Sequence, residues 1–101
     1  MKMIELSETA CLILSTLVEK THGYEIMKSI EDQFGDDFRL GPATLYTTLS
    51  KLVKAGLCVY EEVLNKKVYS LTEKGKKVLE HEVKKRKIVL DYMINNFKKE
   101  Q

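Results

Sequence analysis

The sequence predicts a mainly α-helical domain that carries one small β-hairpin and ends in a long helix. Three observations lead there. Apolar residues recur at helical spacing through most of the first 55 or so positions; the period drops to two between Leu57 and Leu71; and helical spacing returns after Thr72 as far as Phe97. At 101 residues the chain has room for one domain with one modest core.

The elements follow in order. Ser7 caps a first helix, with Glu8 at its positive end. Ala10, Leu14, Leu17 and Val18 recur at helical spacing, and Leu12 and Ile13 widen the stripe. A helix so apolar around its girth is expected to be buried on two sides, partly by a second subunit. Thr21 is the expected cap of a second helix from about His22 to Phe34, with Ile26, Met27, Ile30 and Phe34 inward and Gly35 as its left-handed stop.

The stretch GPATLYTTLSKLVKAGL, from Gly41 to Leu57, reads as a third helix. The chain's one proline, Pro42, suits its first turn, and Gly56 suits the position after its end. At 100° per residue Leu45, Leu49, Leu52 and Val53 share one side. Ala43, Thr47, Ser50, Lys51 and Lys54 lie opposite, Thr44 and Thr48 flank them, and Tyr46 falls on the border. Leu57 to Val63 and Lys67 to Leu71 then alternate as two strands, with Asn65, Lys66 and Lys67 expected at the hairpin tip. A final helix runs from near Thr72 toward Lys98. Val83, Leu90 and Phe97 repeat every seven residues along it, with Leu79 and Met93 between them and Arg86 interrupting the seam.

Composition excludes several classes. Apolar residues at 44% and charged residues at 32% favour folding over disorder. No apolar run approaches the roughly 20 residues of a membrane span, and MKMIELSETA is not a secretory signal. Cys11 and Cys58 stand singly in apolar segments, as buried thiols of a cytoplasmic protein do. His22 and His81 are isolated, no pair has metal-ligand spacing, and no nucleophile, base and orienter can be assembled. The expectation is no enzyme, no metal and no cofactor. His22 could touch a phosphate from the start of the second helix, but a capping or packing role is put first; the five tyrosines are read mostly as core or hairpin packing, with Tyr46 the exception.

Charge is unevenly distributed. Residues 1–40 hold four basic and eight acidic side chains, residues 41–71 four and two, and residues 72–101 nine and five. An anionic partner would therefore avoid the first 40 residues.

Helix, helix, helix, hairpin, helix is the layout of a winged helix-turn-helix, whose third helix enters the DNA major groove. That accounts for the hydroxyl groups on the third helix: short side chains suit base edges and phosphates at close range, where long acidic ones would be repelled. Ala43, Thr44, Thr47 and Ser50 are expected to face bases. Tyr46, Lys51 and Lys54 are expected to hold phosphates or the groove edge, and Asn65, Lys66 and Lys67 to place the wing. Residues 1–71 form the expected DNA-binding unit. Residues 72–101 form a dimerisation helix that packs with residues 1–20 in one compact domain. The partner is expected to be a palindromic double-stranded operator, since a two-fold protein meets a two-fold site. The modest net charge of +2 leaves a second reading, a winged helix used as a protein–protein adaptor. A third is an effector-binding protein with little DNA function.

The chain also resembles the PadR-like transcriptional regulators. HGYEI at His22 to Ile26, the third-helix stretch, and KVYSLTEKGKKVLE at Lys67 to Glu80 match that family's motifs in order and spacing, over most of Leu12 to Leu79. Gly41 stands where the family often has serine, which removes a side-chain cap. Thr47 stands where it often has proline, which leaves the helix straighter. The resemblance implies a dimer made by the first and last helices, here through Leu14, Leu79, Val83, Leu90, Met93 and Phe97. It also implies repression that small aromatic or cationic molecules relieve in some members.

Overall fold

The structure is a computed structural model that describes residues 6–100. The first residues of the expected DNA-binding unit, 1–5, and the last residue of the expected dimerisation unit, 101, lie outside the described residues. The elements run α1 (Glu8–Thr16), β1 (Thr21–His22), α2 (Gly23–Phe34), α3 (Pro42–Lys54), β2 (Cys58–Val63), β3 (Lys66–Leu71) and α4 (Glu73–Lys98), with a 3-10 turn at Gly35–Asp37.

Local chemistry sets these boundaries. Ser7 caps α1 by accepting from the Ala10 N–H at 3.1 Å. Gly35 ends α2 with φ 58°, and Gly56 follows α3 with φ 76°, a region that glycine enters without steric cost. Thr72 caps α4 by accepting from the Gly75 N–H at 3.0 Å. The core lies between α1, α2 and α3, where Ile13, Leu14, Leu17, Ile26, Leu45, Leu49 and Leu57 are fully buried.

Several expectations need correction. Thr21 does not cap α2; His22 holds the N-cap position without a side-chain capping bond, and both residues form a short strand. That strand pairs Thr21 with Tyr69 and His22 with Val68, so the hairpin is part of a three-stranded antiparallel sheet ordered β1-β3-β2. The hairpin turn is Leu64–Asn65 alone: Lys66 and Lys67 belong to β3, opposite Val63 and Glu62. The second side of α1 is covered by the chain's own α4, with Cys11 Sγ 3.7 Å from Glu82 Oε2. Leu14 is fully buried in this core and offers a partner no surface. Of the tyrosines only Tyr69 is buried, whereas Tyr24 and Tyr92 are exposed. Both cysteines are buried free thiols, as expected, and desolvation pushes Cys58 up to about 11.

Only the first turns of α4 belong to the body of the molecule. Gly75, Val78 and Glu82 are buried, and every residue from Lys87 to Glu100 is exposed. A 26-residue helix is about 39 Å long, so its second half projects from a small core. Ile88, Val89, Leu90, Met93 and Phe97 are all at least half-exposed along this stretch, and so is Val83 just before it.

Candidate nucleic-acid interface

α3 is held from beneath and open from above. Leu45, Leu49 and Leu52 anchor it in the core, while Ala43, Thr44, Thr47, Ser50, Lys51 and Lys54 are exposed. Ala43, Thr47 and Ser50 follow at spacings of four and three, which aligns them along one helical stripe. Lys51 and Lys54 occupy the last turn, where positive charge complements the negative end of the helix. Gly41 precedes the helix, and its carbonyl accepts from the Leu45 N–H at 3.0 Å. The backbone starts the helix where no side chain can cap it.

Tyr46 links α3 to α2. It is half-exposed, and its ring lies over Gly23, the first residue of α2. A Cβ at Gly23 would sit 2.9 Å from Tyr46 Cζ, closer than real side chains come, so glycine there makes room for the ring. A cleft of about 460 Å3 opens beside this contact, lined by His22, Gly23, Tyr24, Tyr46, Asn65, Lys66 and Lys67. The β1 strand creates it: pairing His22 with Val68 brings the start of α2 alongside the wing. The side chains in the cleft are amide, phenol, imidazole and ammonium groups, all able to donate hydrogen bonds to an anion. Lys67 Nζ stands 4.6 Å from the centroid of the Tyr60 ring, which orients the ammonium.

The structure thus brings Tyr46, Asn65, Lys66 and Lys67 together and leaves Lys51 and Lys54 apart, at the far end of α3. Sequence reasoning missed Gly23 and Tyr24 as lining residues and put a capping or packing role for His22 ahead of a phosphate contact. HGYEI was visible as a motif, but a two-residue strand leaves no periodicity to read. The wing is not uniformly basic, since Glu62 faces Lys67 across the sheet and Glu61 pairs with Lys20 at 3.6 Å.

The far end of α3 is tied to α4. Thr72 Oγ1 donates to the Gly56 carbonyl at 2.6 Å, Lys74 Nζ donates to the Ala55 carbonyl at 2.9 Å, and the Thr72 N–H donates to the Leu57 carbonyl at 3.2 Å. Gly75 packs so closely that a Cβ would collide with the Leu57 carbonyl. These contacts give partners to the carbonyl of Ala55, which caps the end of the helix, and to those of Gly56 and Leu57 just beyond it. They also fix the direction in which α4 departs.

About two turns further along, Glu82 is the buried charge among the described residues. Arg86 hydrogen-bonds its carboxylate and also reaches Glu8 at 3.3 Å. The Arg86 guanidinium holds the Glu82 carboxyl below the usual range against the opposing effect of burial. A concavity of about 290 Å3 beside this cluster is lined by Leu6, Glu8 and the α4 residues Glu82, Lys85, Arg86, Val89, Leu90 and Met93. Among the described residues no cluster of His, Cys, Asp or Glu could hold a metal ion. No described helix is long and apolar enough to cross a membrane.

A three-helix core with an exposed third helix, a wing beside it and a long final helix defines a winged helix-turn-helix protein. Residues 13–81 match the transcriptional regulator PadR-like family, and the chain belongs to that family. It is similar to a PadR family transcription regulator from Clostridium difficile R20291, with 26% identity and a TM-score of 0.76 over 90% of this chain and 98% of that one. It is also similar to a transcriptional regulator from Clostridium thermocellum, with 27% identity and a TM-score of 0.70 over 87% and 90% of the two chains. Bacillus subtilis PadR, solved in complex with operator DNA, shares 25% identity and a TM-score of 0.69 over 76% of this chain and 47% of that one. No curated protein matches the sequence.

Proposed function

We propose that this chain is a sequence-specific DNA-binding repressor that acts in the cytoplasm as a homodimer. The observation that carries the reading is the exposed Ala43–Thr47–Ser50 face of α3 beside a cleft holding Tyr46, Asn65, Lys66 and Lys67. Short hydroxyl and methyl groups suit close approach to base edges, and the wing cations suit the flanking phosphates. Ala43, Thr44, Thr47 and Ser50 read bases; Tyr46, Lys51, Lys54, Lys66 and Lys67 hold the backbone. Bacillus subtilis PadR bound to operator DNA supports the same role for this fold.

Residues 1–71 do the reading and 72–101 pair the protomers. Several large apolar side chains on the projecting half of α4 would each gain roughly 1.5–3 kcal/mol by full burial, which favours a second copy against them. The repressor sign, and relief by a small aromatic or cationic molecule, rest on the family resemblance.

Selection of bound sequences from random duplex DNA tests the proposal. The expected product is a palindrome with half-sites about one helical turn apart. If each protomer neutralises about four phosphates, log K against log salt should slope near −7 for the dimer. A slope near zero, or no binding at low salt, would favour the protein–protein adaptor instead.

A further inference from the structure

Leu64 occupies a position that folding does not explain. Val63 and Lys66 are paired, so the strands are joined by the two residues Leu64 and Asn65 alone. Both have positive φ, 52° and 65°. A two-residue hairpin turn with this backbone favours asparagine, aspartate or glycine, and Asn65 conforms. Leucine does not, because its Cβ crowds the backbone in the left-handed region. Nor does it gain burial in exchange. At 92% exposure it is the most exposed large apolar side chain among the described residues. Local strain together with an isobutyl group left in water points to a contact outside the chain.

Its neighbours indicate which contact. Asn65, Lys66 and Lys67 follow it directly, and all three line the cleft with Tyr46. This edge therefore faces nucleic acid if α3 does, and the inference rests on the DNA-binding reading above. With α3 in the major groove, the groove across the adjoining phosphate strand is the minor groove. Its floor presents acceptors at A·T pairs and is obstructed at G·C pairs by the guanine amino group. Leucine is among the side chains able to wedge into that groove. We propose that Leu64 is a minor-groove wedge: it enters the minor groove flanking each half-site and, with the Asn65 amide beside it, disfavours G·C pairs there.

The probe is the operator that the parent protein selects, prepared with either I·C or G·C pairs at the flanking steps. The two duplexes differ there only by the amino group in the minor groove. Leu64→Gly and Leu64→Asn relieve the left-handed strain, so their thermal midpoints should equal or exceed the parent's. Their affinity for the I·C duplex should nevertheless be about tenfold weaker, the size expected for losing one partly buried leucine contact. Both should also lose most of the parent's preference for I·C over G·C, whereas Leu64→Met should keep it. A purely structural leucine would move stability and binding in the same direction. If the parent selects no duplex, the DNA-binding reading falls and the wedge with it. If the parent binds but treats both flanks alike, or if the glycine variant matches it on both duplexes, the wedge is wrong and the DNA-binding reading stands.

Discussion

α3 and the second half of α4 are both helices with a face open to water, and the two faces differ in kind. The open face of α3 is built from Ala43, Thr47 and Ser50, while three leucines beneath it are buried. The open stretch of α4 presents Leu90, Met93 and Phe97, each more than half exposed. Removing small hydroxyl groups from water yields little unless hydrogen bonds replace those lost. Removing large apolar groups is favourable by itself. The first surface therefore needs a partner with matching polar groups, and the second needs only another apolar surface. The proposed division into a reading face and a pairing face rests on that difference.

The largest expected effect comes from destroying the apolar face. Leu90→Lys with Phe97→Lys should give monomers by sedimentation. Operator affinity should fall by about two to four orders of magnitude, because one half-site is then bound without its tethered twin. α3 and the hairpin should stay folded, since neither residue is buried in the chain's own core. A double variant that remains dimeric would place the pairing surface elsewhere.

Next comes the joint between the two helices. Gly75→Ala drives a methyl group against the Leu57 carbonyl, a backbone atom that cannot swing aside. Overpacking of this kind should cost about 1–3 kcal/mol, read as a lower urea midpoint. Full stability in the variant would mean that α4 is not clamped to the end of α3, and the contrast between a held and a projecting half of α4 would weaken.

A comparable or smaller effect belongs to the ion cluster at the base of the projecting half. Arg86→Met leaves the Glu82 carboxylate buried without its partner. Loss of one member of a fully buried pair costs about 3–5 kcal/mol; with Arg86 over a third exposed, about 1–2 is expected. The pH dependence has a definite sign. Glu82 is held below its ordinary value of 4.5, so its contribution is fully present above that value and is lost as pH falls through the lower folded-state value. Denaturant midpoints measured from neutral to acid pH should show this loss in the parent and a shallower one in Arg86→Met.

The last effects fall on DNA binding alone and divide the proposed reading surface. Thr47→Ala and Ser50→Ala should shift base preference at positions worth about 1–3 kcal/mol each. Lys66→Ala and Lys67→Ala should weaken all sequences alike and reduce the salt slope by about one per lost phosphate contact. Binding-site selection on each variant, with titrations at several salt concentrations, separates the two classes. Base preference that followed the lysines would reverse the roles assigned to helix and wing.

α3 shows how much was legible in the chain. Pro42, Gly56 and the leucine spacing delimit it to within a residue, because the steric limits of proline and glycine act locally and need no tertiary context. The start of α4 near Thr72 was legible too, although the structure alone shows that Thr72 caps it. β1 was not legible: two residues carry no period, and Thr21–His22 is a strand only because β3 lies beside it. The cleft beside Tyr46 was hidden for the same reason, since its lining comes from α2, α3 and the hairpin.

Leu14 and Leu90 make the division plain. Both are leucines on apolar helical stripes, and the spacing of a stripe tells which side of a helix seeks burial. It does not tell what covers that side. Leu14 is covered by the chain's own helices, whereas Leu90 stays more than half exposed among the described residues. The sequence by itself determined the helices, most of their ends and the chemistry of each face, because these follow from torsional limits and side-chain type within a few residues. Tertiary structure alone decided which apolar faces remained open and which polar side chains shared one cleft. Those outcomes depend on distances between segments far apart in the chain, which no local pattern records.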